Sequence, residues 1–132
     1  MIIGLFEEKI RPTVTAAIEG MRQKGDDMFL VPQVVYEFWV VATRPAKDNG
    51  LGLTTQATFK AVNVSLEIFT LAPDTAGVCT KWLDIVSREK ISGKPAHDAR
   101  LVAAMEVHKM EAILTRNAKD FRRHRGIKII SL

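Results

Sequence analysis

The chain predicts an α/β fold with a central parallel sheet, on three observations. Short, largely apolar runs stand at 28–31, 68–71, 112–115 and 127–130. Segments of helical periodicity separate them. Clusters of Gly, Pro, Asn and Asp mark the joints, as at Asp48-Asn49-Gly50-Leu51-Gly52 and Ser92-Gly93-Lys94-Pro95. Strands that alternate with helices are joined by crossovers, which makes the sheet parallel and covers both of its faces.

Each element has a local reason. Pro12 suits a helix start, and Val14, Ile18 and Met21 recur at helical spacing up to Gly25. Met28-Phe29-Leu30-Val31, between Asp26-Asp27 and Pro32, reads as a buried strand. Residues 33–43 read as a helix that ends near Arg44-Pro45. Thr54 is an N-cap for a helix to about Leu66. Ile68-Phe69-Thr70-Leu71 reads as a second strand, closed by Pro73-Asp74. Residues 75–90 form a helix carrying Val78, Trp82, Leu83 and Val86, and residues 96–109 another. Ala112-Ile113-Leu114-Thr115 is the third strand, a short helix follows Asn117, and Ile127-Lys128-Ile129-Ile130 is the last strand.

The 132 residues read as one domain, long enough to bury a core. Hydrophobic residues make up 47% and charged residues 26%, as in globular proteins, and no repeat or low-complexity segment stands out. The net charge of +4 and pI near 9.4 hint at an anionic partner. One cysteine, Cys79, excludes an internal disulfide framework and fits the reducing cytoplasm. No apolar run approaches the roughly 18 residues that span a bilayer, so no membrane partner is expected. Met1–Phe6 is apolar but too short, and flanked by Glu7-Glu8, to be a signal peptide.

Two acids stand out because each is set in an apolar helical pattern. Glu37 is the only charged residue between Asp27 and Arg44, and it lies at the edge of the face formed by 34, 35, 38 and 42. Asp98 shares a stripe with Leu101, Val102 and Met105. A carboxylate on an apolar face needs a partner. A divalent cation is the cheapest partner that two of them can share. The bland alternative for both is a favourable place near a helix N-terminus. Asn117 and Asp120 follow the third strand at once, and in open α/β sheets sites gather past the carboxyl ends of strands. Their bland alternative is a helix cap and a first-turn acid. Arg116, Lys119, Arg122 and Arg123 belong to the most basic stretch, which also includes His124, Arg125 and Lys128. Such a run is ordinarily a solvated face, but beside carboxylates it can hold a phosphate backbone.

Other chemistries fit poorly. His97, His108 and His124 lack metal-ligand spacing with one another or with Cys79. Cys79 sits in an apolar helical pattern and is expected in the core. Gly50-Leu51-Gly52 lacks the preceding strand and the Lys-Ser/Thr ending of a phosphate loop. His97-Asp98 alone is too little for a His-Asp phosphohydrolase.

Longer stretches carry a resemblance. Pro32-Gln33-Val34-Val35-Tyr36-Glu37-Phe38-Trp39, Ala42-Thr43-Arg44-Pro45, Asn49-Gly50-Leu51-Gly52, Ser92 through Leu101, and Leu114 through Phe121 resemble, in order and spacing, a PIN domain. The likeness runs from about residue 12 to the C-terminus. It implies a three-layer α/β/α sandwich around a parallel sheet. It also implies the activity of VapC-like toxins: RNA cleavage with Mg²⁺ or Mn²⁺ held by an acid cluster, opposed by a cognate antitoxin. Residue by residue, Glu37 matches the second acid and Asp98 the third, while the fourth falls at Asn117 with Asp120 three residues on. The implied catalytic set is therefore Glu37, Asp98, Asn117 and Asp120, and the implied metal ligands are Glu37, Asp98 and Asp120. Hard oxygen donors suit these ions.

One motif of the family has no counterpart. The first PIN strand ends in Asp-Thr-Asn and supplies the first metal ligand, yet no Asp precedes Asp26. The expectation is a PIN domain short of its N-terminal strand, with Met1–Phe6 a candidate replacement and Glu7 or Glu8 a remote substitute acid. Metal binding and nuclease activity should then be weak. Two readings of function follow: a PIN-type ribonuclease whose true start lies upstream of Met1, or a non-catalytic relative that dimerises or binds RNA or an antitoxin. Open strand edges would favour a homodimer or a larger assembly.

Overall fold

The computed structural model describes Glu7 and residues 10–132. Met1–Phe6 and Glu8, to which a replacement strand and acid were assigned, lie outside the described residues. The chain forms two compact units, one running through Ala72 and one from Pro73 to Leu132.

The first unit holds α1 (Arg11–Gln23), β1 (Phe29–Leu30), α2 (Pro32–Thr43), a 3₁₀ turn (Ala46–Asp48), α3 (Thr55–Ile68) and β2 (Thr70–Leu71). Helix α1 buries Val14 and Ile18, one turn apart. Helix α2 starts on Pro32, whose missing N–H costs nothing there. It buries Gln33, Phe38 and Ala42. Thr54 caps α3 as its residue type predicts: its Oγ1 accepts from the Ala57 N–H at 3.1 Å. The buried face of α3 is small and polar, with Thr58, Ala61 and Ser65. Both hydroxyls donate to carbonyls one turn back, Thr58 to Thr54 and Ser65 to Ala61, at 2.9 Å each. Small side chains there allow α2 and α3 to approach closely.

The loop after α2 serves that helix. Leu51 N–H donates to Val41 O at 3.0 Å and Leu53 N–H to Ala42 O at 2.8 Å, which satisfies carbonyls the helix end leaves open. Gly50 is required for this return, because any Cβ would collide with the Arg44 carbonyl. Strands β1 and β2 pair in parallel, Phe29 with Thr70 and Leu30 with Leu71.

The second unit holds α4 (Ala76–Arg88), α5 (Pro95–Val107), β3 (Ala112–Thr115), α6 (Ala118–Phe121) and β4 (Lys128–Ser131). Its core is the packing of α4 on α5, through Val78 and Ile85 on one side and Ala99, Val102, Ala103 and Met105 on the other. Trp82 Nε1–H donates to Ala96 O at 2.8 Å, and Lys81 meets Glu106 at 3.3 Å. Strands β3 and β4 run parallel from Ala112↔Lys128 to Thr115↔Ser131.

The chain is thus mixed α/β with parallel pairing, as expected. The single central sheet is corrected: the described strands form two separate pairs, β1 with β2 and β3 with β4. With two residues each, β1 and β2 are too short to carry a wide sheet. Ile68 belongs to α3 rather than to a strand, because Phe69 N–H still closes a helical bond to Ser65 O at 2.9 Å. Cys79 is exposed, not core. Leu83 is 55% exposed, because it lies well round the helix from the Val78–Ile85 line that faces α5. No helix among the described residues is long and apolar enough to cross a membrane.

Candidate functional site

Glu37 is the sixth residue of α2, one turn beyond the helix start. No acid occupies the first turn, so the helix-dipole explanation does not apply to it. The carboxylate is exposed, which corrects the expectation that burial forces it to seek a cation. It is nevertheless held in place. Gln33, 6% exposed, donates from Nε2 to Glu37 Oε1 at 2.9 Å across one helical turn.

Asp98 lies in the first turn of α5, half-buried, on the side that carries buried Val102 and Met105. Two contacts fix this turn. Trp82 ties Ala96 to α4, and Arg100 forms an ion pair with Asp74, which precedes α4. Arg100 is therefore half-buried and paired.

Asn117 occupies the cap position between β3 and α6, but its side chain makes no capping bond. Its backbone N–H donates to Thr115 Oγ1 at 3.1 Å, and its carbonyl accepts from Asp120 N–H at 3.0 Å. The Asn117 amide and the Asp120 carboxylate are both exposed, past the carboxyl end of β3. Arg116, Lys119, Arg122 and Arg123 are exposed on the same stretch.

Glu37 belongs to the first unit, and Asp98, Asn117 and Asp120 to the second. Their carboxylate oxygens have the hardness that Mg²⁺ or Mn²⁺ prefers. Among the described residues, however, no three His, Cys, Asp or Glu side chains stand close enough to hold a cation.

No protein-family model and no curated protein matches the chain. The PIN resemblance rests on the motifs alone.

His124 is the residue that sequence reasoning missed. Its place in a basic run predicted a solvated face, yet it is 5% exposed. The available signal was its spacing of three from Phe121, which is also buried. Its Nδ1 lies 3.2 Å from Glu89 Oε2, but the two are not aligned for a hydrogen bond. Burial lowers its pKa below the ordinary 6.5; Glu89 opposes that shift, and Arg123 adds to it. A cavity of about 360 Å³ lies beside Trp82, Cys79 and the Asp74–Arg100 pair.

Proposed function

We propose that the chain is a PIN-type ribonuclease scaffold that acts on RNA in the cytoplasm, the toxin half of a toxin–antitoxin pair. For these 132 residues by themselves, its Mg²⁺- or Mn²⁺-dependent phosphodiester hydrolysis is impaired, because the first acid of the family has no counterpart among them. One observation carries the reading. A half-buried acid, Asp98, opens α5 directly after Ser92-Gly93-Lys94-Pro95, and Asn117 and Asp120 follow the carboxyl end of β3. That combines the family's motif order with its order of elements. The strand pairing supports it too. The described strands pair in parallel, β1 with β2 and β3 with β4, as in an α/β sheet built by crossovers.

The absence of a three-donor cluster among the described residues favours a second reading. In it the chain is a non-catalytic relative that binds RNA or the antitoxin. A cleavage assay on single-stranded RNA separates the two. The first reading expects slow cleavage that needs Mn²⁺, stops in chelator and is lost in Asp98→Asn. RNA bound but never cleaved with Mn²⁺ selects the second. A chain that neither binds nor cuts RNA refutes the first reading and leaves only the antitoxin-binding form of the second.

Self-association belongs to the same proposal. Tyr36, Val40, Phe59 and Val64 of the first unit are each at least 50% exposed, an apolar load that a partner copy would cover. Light scattering should therefore show a dimer or larger species; a monomer at high concentration would count against it.

A further inference from the structure

A cavity of about 470 Å³ opens in the second unit beside the turn that carries Arg123, His124 and Arg125. The His124 side chain is only 2% exposed, and neither ring nitrogen has a hydrogen-bond partner among the described residues. A buried polar group without a partner is costly, so its retention calls for an explanation. The surrounding charges narrow it. Glu106 is paired with Lys81 at 3.3 Å, and Glu89 with Arg88 at 3.7 Å. Arg88 is shared with Asp84 at 2.8 Å. Once these pairs are made, Arg123 and Arg125 remain without an ion pair or hydrogen bond among the described residues. The wall thus presents two guanidinium groups without an ion pair and one imidazole that faces Glu89 at 3.2 Å on its Nδ1 side but makes no hydrogen bond. Such a set repels a cation and suits an oxyanion, because the planar guanidinium fork matches phosphate oxygens.

We propose that this cavity binds a backbone phosphate of single-stranded RNA, clasped by Arg123 and Arg125, with a hydrogen bond donated by the His124 ring. The choice of RNA as the source of the phosphate rests on the function proposed above; the anion site itself does not. A volume of this size also accepts the sugar beside the phosphate. His124 couples the site to pH. Burial and Arg123 disfavour its charged form, while Glu89, Asp98 and Glu106 favour it. A bound phosphate adds negative charge and a second acceptor, so it favours the imidazolium. A phosphodiester keeps its single charge over this range, so binding tightens as pH falls, until the free ring, whose pKa burial holds below 6.5, is protonated as well.

Long-range ¹H–¹⁵N spectra of the full chain read the His124 ring directly. A short uridine oligonucleotide, added in chelator so that nothing is cut, should shift the ring signals saturably. Arg123→Ala with Arg125→Ala should weaken that binding about tenfold. Both arginines are exposed, so the double variant should keep its fold, and an unchanged melting temperature checks this. Sulfate serves as the small-anion control. Ring shifts with sulfate but none with the oligonucleotide would overturn the RNA assignment. RNA bound with the ring signals unmoved, or bound as tightly by the double variant, would overturn the site and leave the RNA reading standing. Saturable ring shifts without cleavage in Mn²⁺ would support the site while removing the nuclease.

Discussion

Phe38→Ala should destabilise the first unit by about 3–5 kcal/mol, the usual cost of emptying a buried aromatic site. Glu37→Ala, one residue away, should change stability by less than about 0.5 kcal/mol, as exposed substitutions do. Phe38 is 1% exposed and sits with Ala42 on the buried line of α2. Glu37 faces solvent and accepts a hydrogen bond from Gln33 at 2.9 Å. An intrahelical bond of this kind contributes only about 0.2–0.5 kcal/mol. Urea unfolding of the two variants measures both effects. The contrast bears on function, because a residue that stability does not need is free to serve a ligand. A loss of more than about 1 kcal/mol on Glu37→Ala would make Glu37 a structural residue and remove it from the proposed set.

Local chemistry made most of the elements legible. Pro32, Thr54 and Pro95 mark helix starts through properties they carry anywhere: a fixed φ, a missing N–H, a hydroxyl that caps. Ala112–Thr115 is apolar, short and bounded, and it forms a strand over those four residues. What stayed hidden depends on neighbours far along the chain. The pattern around Glu37 resembles that around Asp98, yet one side chain is exposed and the other half-buried. Which edge of an apolar face is covered depends on the elements packed against it. Cys79 shows the same limit. Its helix presents the line through Val78 and Ile85 to α5 and turns Cys79 outward. The break of the sheet into two pairs was not legible from strand patterns, because a run of apolar residues does not name its partner.

The site divides along the same line. Residue types and order pointed to Glu37, Asp98, Asn117 and Asp120, and the structure puts the last three in one unit. Asn117 follows a strand and precedes a helix as its motif requires, but its side chain leaves the capping role unused. That removes the bland explanation for Asn117 and leaves its amide available. His124 escaped because four cationic neighbours, Arg122, Arg123, Arg125 and Lys128, give its segment the composition of a surface. Only tertiary packing turns that one ring inward.

His124→Phe should stabilise the protein by about 1–2 kcal/mol above pH 6.5, and by more below it. The ring of phenylalanine fills a similar space without two buried nitrogens that lack partners. The pH term follows from protonation. With its folded pKa held below 6.5, His124 takes up protons more readily in the unfolded chain. Wild-type stability attributable to this group is therefore intact above 6.5, falls as pH drops below that value, and levels off once the folded protein is protonated too. The groups that set the lower end are Glu89, Asp98 and Glu106, which favour the charge, and Arg123, which opposes it. Melting curves of the two proteins across this range isolate the effect, because their difference cancels the carboxylates common to both. A difference that shrinks toward acid pH would show that Glu89 already stabilises the imidazolium. A growing difference would show that the folded chain keeps a residue that costs it stability, and stability given up at one buried position is the mark of a ring retained for what binds beside it.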